Sequence, residues 1–346
     1  MAQINEQIIR AVYTEMLKYK PALAKQLVTD DDEDDGEVDY RLQGDVIIKN
    51  FPWPIGVELR RLFSGSMRQF DRARLDQIFK TIERSMQFIS FAMVCQLWQE
   101  KSKKKLVLPE TVRKDFESRF SILSMGNFTW IIRVIGTFFE DQKIEWFMKE
   151  MGDTFDKKFY AALDFWVPER NEIGHYQINL TQEDIEKRCV EYEEKLTFIL
   201  QKIAFFANYK LVSVRDIKVQ KSRIKEAKFR HVIDLLNSSD SDFKAKELDD
   251  THFSESNAVM VIKTMKSIDE HLNLSPLVID TKSEVLDNKD KFSIKKDIFM
   301  YTKFRNDQLF YVGTEVTEKC DLRALSNYQN LMDEYKELIG VVVGES

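Results

Sequence analysis

The sequence predicts an α+β protein, a mainly helical bundle followed by a C-terminal mixed α/β domain. Three observations carry this. Apolar residues recur at three- and four-residue steps through much of the first 209 positions. After Tyr209 the pattern changes to short apolar runs bounded by turn residues. Phenylalanine is abundant (25) and proline scarce (6), a balance that suits packed helices more than loops. A chain of 346 residues exceeds what one core usually needs, so a helical extension at 1–50, a bundle at 51–212 and an α/β domain at 213–346 are expected.

Taken in order, residues 4–27 read as one helix, with Ile8, Ile9, Val12, Tyr13, Met16 and Leu17 on one stripe. Asp30 to Asp35 are six consecutive acids, which repel one another and predict a solvated loop, with cation binding or mimicry of nucleic acid as alternatives. Phe51–Pro52–Trp53–Pro54 marks a boundary, because closely spaced prolines disfavour helix on either side. Residues 69–99 then carry a stripe from Leu75 to Leu97, closed by lysines at 101–105 that suit the negative end of a helix dipole. A second stripe runs through 126–140 and a shorter one through 155–166, where Pro168 interrupts. Thr181–Gln182–Glu183–Asp184 is a capping-box-like start to a long helix. These stripes cannot be buried separately, so the helices between 55 and 209 are expected to pack as a bundle. Beyond it, 258–262, 276–279, 297–301 and 309–312 read as strands, Asn306–Asp307 as a hairpin turn, and 323–338 as a final helix.

Composition excludes several classes. Apolar residues are 43% and charged residues 32% of the chain, as in a folded soluble protein. Charges inside the apolar stretch of the N-terminus argue against a signal peptide, and no run is long enough to span a bilayer, so a cytoplasmic protein without membrane contact is expected. Cys95, Cys189 and Cys320 are far apart and read as free thiols in a reducing compartment. Neither G-x4-G-K-[ST], G-x-G-x-x-G nor G-x-S-x-G occurs, and no His or Cys pair has metal-ligand spacing, so neither cofactor nor metal is expected. His231, His252 and His271 read as structural.

Chemistry concentrates at Pro168–Glu169–Arg170–Asn171–Glu172–Ile173–Gly174–His175, between the bundle's last two helices. The pattern is Arg-Asn-x3-His. RNA is cut without metal when the neighbouring 2′-hydroxyl attacks phosphorus, which needs a base and an acid near neutral pKa and a fixed cation on the phosphorane. Histidine supplies the first and arginine the second. An amide such as Asn171 can orient either partner. On a continuous helix, positions five apart differ by about 140°. Gly174 is therefore expected to let the chain bend, and a two-fold dimer would double the set of groups. The plainer alternatives are an arginine paired with Glu169 or Glu172 and a structural histidine.

With Arg170, Asn171 and His175 at these positions, the segment resembles the signature of the HEPN superfamily: Arg, a polar residue, a short spacer and His near the start of the bundle's last long helix. Upstream, Trp53–Pro54–Ile55 to Arg60–Arg61–Leu62, the 69–99 helix and Leu123–Ser124–Met125–Gly126–Asn127–Phe128 are similar to stretches of HEPN domains in bacterial abortive-infection proteins. The resemblance covers about 51–210. It implies a homodimeric, metal-independent endoribonuclease with Arg170, Asn171 and His175 in the site, in phage defence or toxin–antitoxin action. RNA is the substrate it implies, and an antitoxin or trigger-sensing protein a further partner. A HEPN bundle that only scaffolds a complex or binds nucleotide is the alternative.

Residues 210–231 hold eight lysines and arginines against two acids. Arg215, Lys218, Lys221, Arg223 and Lys225 are the candidate RNA path, with a solvated helix or linker as the plainer reading. The net charge of −6 means that any RNA surface must be local.

Overall fold

The structure is a computed structural model. It describes residues 4–27, 39–175, 180–236, 245–281, 297–316 and 320–344. The acidic run at 30–35 lies outside them. The chain runs α1 (Glu6–Tyr19), α2 (Tyr40–Asn50), α3 (Trp53–Leu62), α4 (Arg72–Lys103), α5 (Glu110–Ser121), α6 (Met125–Gln142), α7 (Met151–Thr154), α8 (Lys157–His175) and α9 (Gln182–Lys202). It continues as β1 (Lys210–Gln220), β2 (Lys228–Leu235), β3 (Ala245–Asp250), β4 (Val259–Ile262), β5 (His271–Asn273), β6 (Val278–Asp280), β7 (Ile298–Phe304), β8 (Leu309–Gly313) and α10 (Tyr328–Val343). Helices and antiparallel sheets segregate along the chain, and the class is α+β.

Two compact units interleave in sequence, whereas composition shifts suggest boundaries near 50 and 212. One unit joins the described residues up to Met86 to those from Met148 to Tyr209. The other joins Gln87–Phe147, Lys210–Leu236 and the described residues from 245 onward.

The first unit is helical. α1 buries Ile8, Ile9, Val12, Tyr13 and Met16, the stripe its spacing predicts. It is shorter than expected because Pro21 opens a 3-10 turn after it. The FPWP boundary is real: α2 ends at Asn50 and α3 starts at Trp53. Arg74 in α4 is wholly buried, and its guanidinium donates to Asn5 Oδ1 (2.8 Å), the Met67 carbonyl (2.7 Å) and Glu193 Oε2 of α9 (2.5 Å). A buried cation is tolerated only when paired in this way.

In the second unit five strands form an antiparallel sheet in the order β3-β2-β1-β4-β5, and three form another in the order β6-β7-β8. Asn306 (φ 53°) and Asp307 (φ 56°) are both left-handed, as a two-residue hairpin requires, and Arg305 and Gln308 exchange backbone hydrogen bonds of 3.0 and 3.1 Å around them. Tyr301 of β7 is fully buried, donating to or accepting from Tyr335 of α10 (2.9 Å) and stacking on Phe120 of α5 (5.5 Å). The expectation of a helix or linker across 210–231 is corrected here. Ile217 and Val219 alternate with Asp216, Lys218 and Gln220, and this period of two makes the segment a strand paired with β2. Among the described residues no helix is long and apolar enough to cross a membrane.

Candidate active site

The Arg-Asn-x3-His segment closes α8, and the core sets its position. Trp166 of α8 is fully buried, edge-on to Phe79 of α4 (5.5 Å) and to Tyr192 of α9 (5.6 Å); Phe79 and Tyr192 meet each other at 5.4 Å. This aromatic knot fastens three helices together, each ring pair adding about 0.5–1.5 kcal/mol beyond its burial. One turn beyond Trp166 on α8 is Arg170, and one turn beyond Phe79 on α4 is Glu83. The two helices that meet at the rings therefore meet again as charges, Arg170 Nη2 to Glu83 Oε1 at 3.3 Å. The Arg170 side chain is 47% exposed.

The neighbouring acids are engaged from α9. Glu169 accepts from the Tyr192 hydroxyl and from Arg188 (3.2 Å), and Arg188 also donates to Glu172 (2.5 Å) and to Tyr192 Oη (2.8 Å). Burial, reinforced by the Glu169 carboxylate, pushes the Tyr192 phenol well above its ordinary range. Burial works against the charge of Arg188, yet Glu172 and Tyr192 raise its affinity for the proton. A capping box fixes the start of α9: Thr181 Oγ1 accepts from the Asp184 amide (3.2 Å) and Asp184 Oδ2 from the Thr181 amide (3.2 Å). The clamp Glu169–Tyr192–Arg188–Glu172 and the partner Glu83 were not anticipated. The i, i+4 spacing of Arg188 and Tyr192 was their only sequence signal.

Three expectations are corrected. The motif lies at the end of α8, not at the start of the last long helix. Pro168 does not interrupt: it sits inside α8. A proline there costs about 3 kcal/mol in lost hydrogen bond and ring clash. Burial of Leu163 and Trp166 on the same helix offsets this, at about 1.5–3 kcal/mol for each large side chain. Nor does Gly174 bend the chain between arginine and histidine, because the helix continues through His175. Position 175 is therefore about 140° from Arg170 round the axis and only about 40° from Asn171. Asn171 is exposed. Within one chain the register groups positions 171 and 175 and sets 170 apart. The side chain of His175 lies outside the described residues. Arg170 pairs with Glu83, not with the acids beside it in sequence.

The basic segment is placed in the second unit. Arg215 stands at a bulge of β1 and pairs with the wholly buried Asp234, so its charge answers a carboxylate of the fold. That makes it a poor phosphate ligand. Lys218 lies 3.9 Å from Asp216. Lys221, Arg223 and Lys225 are exposed in the turn that joins β1 to β2, where Lys221 Nζ donates to the Lys225 carbonyl (3.1 Å). Among the described residues no group of three or more His, Cys, Asp or Glu is arranged to hold a metal.

Compared with protein-family models, curated proteins and solved structures, the chain matches none.

Proposed function

We propose that the chain is a metal-independent endoribonuclease of the HEPN kind, acting as a homodimer in the cytoplasm. The observation that carries this reading is a half-exposed arginine, held by one carboxylate, on the same helix end as an exposed asparagine and a histidine. A surface pair such as Arg170–Glu83 contributes at most about 1 kcal/mol, so a phosphate can take the carboxylate's place at small cost. The clamp from Arg188 keeps the backbone of that helix end fixed meanwhile.

The register supports a dimer. Positions 170 and 175 of one chain lie about 140° apart round α8, which favours a phosphate shared by Arg170 of one copy and His175 of the other. One His175 takes the proton of the 2′-hydroxyl as its oxygen bonds to phosphorus. Arg170 stabilises the phosphorane. The bond from phosphorus to the 5′-oxygen breaks, and the same imidazole, now protonated, returns the proton to that oxygen. The products are a 2′,3′-cyclic phosphate and a 5′-hydroxyl end. Asn171, a turn before His175 on the same flank, is assigned to orienting the imidazole. Phage defence or toxin action is the setting this chemistry serves, with an antitoxin or trigger-sensing partner restraining it.

The test is incubation of the protein, and of its His175→Ala variant, with total RNA in EDTA. Cleavage by the unaltered chain alone, leaving cyclic phosphate ends, is the expected result. Cleavage that EDTA abolishes, or that His175→Ala retains, contradicts it. The pairing of Arg170 with Glu83 favours a second reading, a bundle that scaffolds a complex through this helix end; inactivity even with a partner supplied supports that reading.

A further inference from the structure

β1 is eleven residues long, but β4 pairs with it only from Lys210 to Ser213. From Asp216 to Gln220 it pairs with β2 alone, and β2 with β3 only as far as Phe229. Along this stretch the outer edge of β1 is open among the described residues, and past the Val219–Phe229 level the Gln220–Lys228 pair and the connecting turn project as a two-stranded ribbon. Cross-strand partners share a face, and here the faces differ. Lys218 lies opposite Arg230 and Gln220 opposite Lys228 on one side, while Val219 lies opposite Phe229 on the other.

The apolar side is uncovered. Val219 is 64% exposed, Ile224 in the turn 95% and Phe253, whose ring lies 5.4 Å from that of Phe229, 70%. Ser254, next to Phe253, donates its amide to Nε2 of the buried His231 (3.3 Å), which anchors the segment to β2. From 216 to 228 five basic residues face two acids, a local excess of +3 in a chain of net −6. Arg223, Lys225 and Lys228 form no ion pair among the described residues, whereas Arg230 is held by Asp249 and Glu247.

We infer that this ribbon binds single-stranded RNA, with unpaired bases on Phe253 and Phe229 and phosphates on Lys221, Arg223, Lys225 and Lys228. The exposed Phe253 ring, backed by the half-buried Phe229 and beside free cations, suits a strand whose bases are already unstacked. A base-paired duplex keeps its bases stacked away from such rings, so its bases cannot reach this platform. The inference rests on the ribonuclease reading for the choice of RNA and extends it, because it assigns recognition to residues outside the Arg170–Asn171–His175 helix end.

The experiment uses the full chain carrying His175→Ala, in EDTA, with a fluorescein-labelled unstructured oligoribonucleotide followed by anisotropy over a salt series. Replacing Lys221, Arg223, Lys225 and Lys228 together by alanine should weaken binding at least about tenfold and flatten the plot of log K against log salt by roughly 2.8, at about 0.7 per contact. Phe253→Ala should weaken binding about tenfold, and Phe253→Leu nearly as much, since stacking rather than apolar bulk is lost. All these side chains are exposed, and circular dichroism checks that the fold is kept. Unchanged affinity and slope in the fourfold variant overturn the inference. So does binding to phosphatidylserine–phosphatidylcholine vesicles, but not to the oligonucleotide, that Ile224→Ser abolishes. Binding needs no cleavage, so the two readings fail separately. Ribbon-dependent binding without cleavage by the unaltered chain supports the ribbon and rejects the ribonuclease. Cleavage by the unaltered chain, with affinity unchanged in the fourfold variant, does the reverse.

Discussion

A guanidinium that is half exposed and held by one carboxylate, as Arg170 is by Glu83, keeps its charge and gives up its partner cheaply. The neighbouring arginine is of another kind. Arg188 is only 22% exposed and ties Glu169 and Glu172 of α8 to α9. Its removal leaves two carboxylates of the helix end without their cation. Arg188→Ala should therefore destabilise the helical unit by about 1–2 kcal/mol. A lower thermal midpoint checks this; an unchanged midpoint would mean that the clamp contributes nothing. At this scale the sequence makes local spacing legible. The Arg-Asn-x3-His spacing of Arg170, Asn171 and His175 was legible. Glu83, 87 residues before Arg170, was not, because only the Phe79–Trp166 contact brings the two together. The partner of Arg215 was not legible for the same reason, since Asp234 reaches it through the pairing of β1 with β2.

At the scale of elements, the α8 helix decides what the motif can do. A break at Pro168 or Gly174 would have changed the angle between positions 170 and 175; a helix continuous to His175 keeps them about 140° apart round its axis. Pro168→Ala tests that continuity. Inside a helix it should restore a hydrogen bond and stabilise the protein by about 1–3 kcal/mol, raising the melting temperature. A neutral or destabilising effect would place Pro168 at a break instead. Periodicity made α4, α6 and β7 legible, since each buries the stripe or run it was assigned, and α9 in its second half, where Leu196, Ile199 and Leu200 are buried while Val190 is exposed. α5 escaped because its buried residues are few, and α2 because its buried apolar residues Val46, Ile47 and Ile48 are consecutive and show no helical spacing. β1 escaped because six lysines and arginines within the strand and its turn mask an alternation of two. Proline misled at 168 and guided correctly at 52–54, where α3 starts beside two of them.

For the whole molecule, the relevant quantities are where charge gathers and how many chains make one site. The sum of −6 says little when a ribbon of one unit carries an excess of +3. The stronger consequence is stoichiometric. If Arg170 of one copy acts with His175 of another, neither residue can serve a site inside its own chain. The direct measurement mixes two inactive proteins, Arg170→Ala and His175→Ala, after denaturation and joint refolding. Random pairing gives mixed dimers in which one of the two sites has both groups intact, so cleavage of the labelled RNA should return to about a quarter of the unaltered rate. No recovery, with mixed dimers verified by mass, would contradict a site shared between chains.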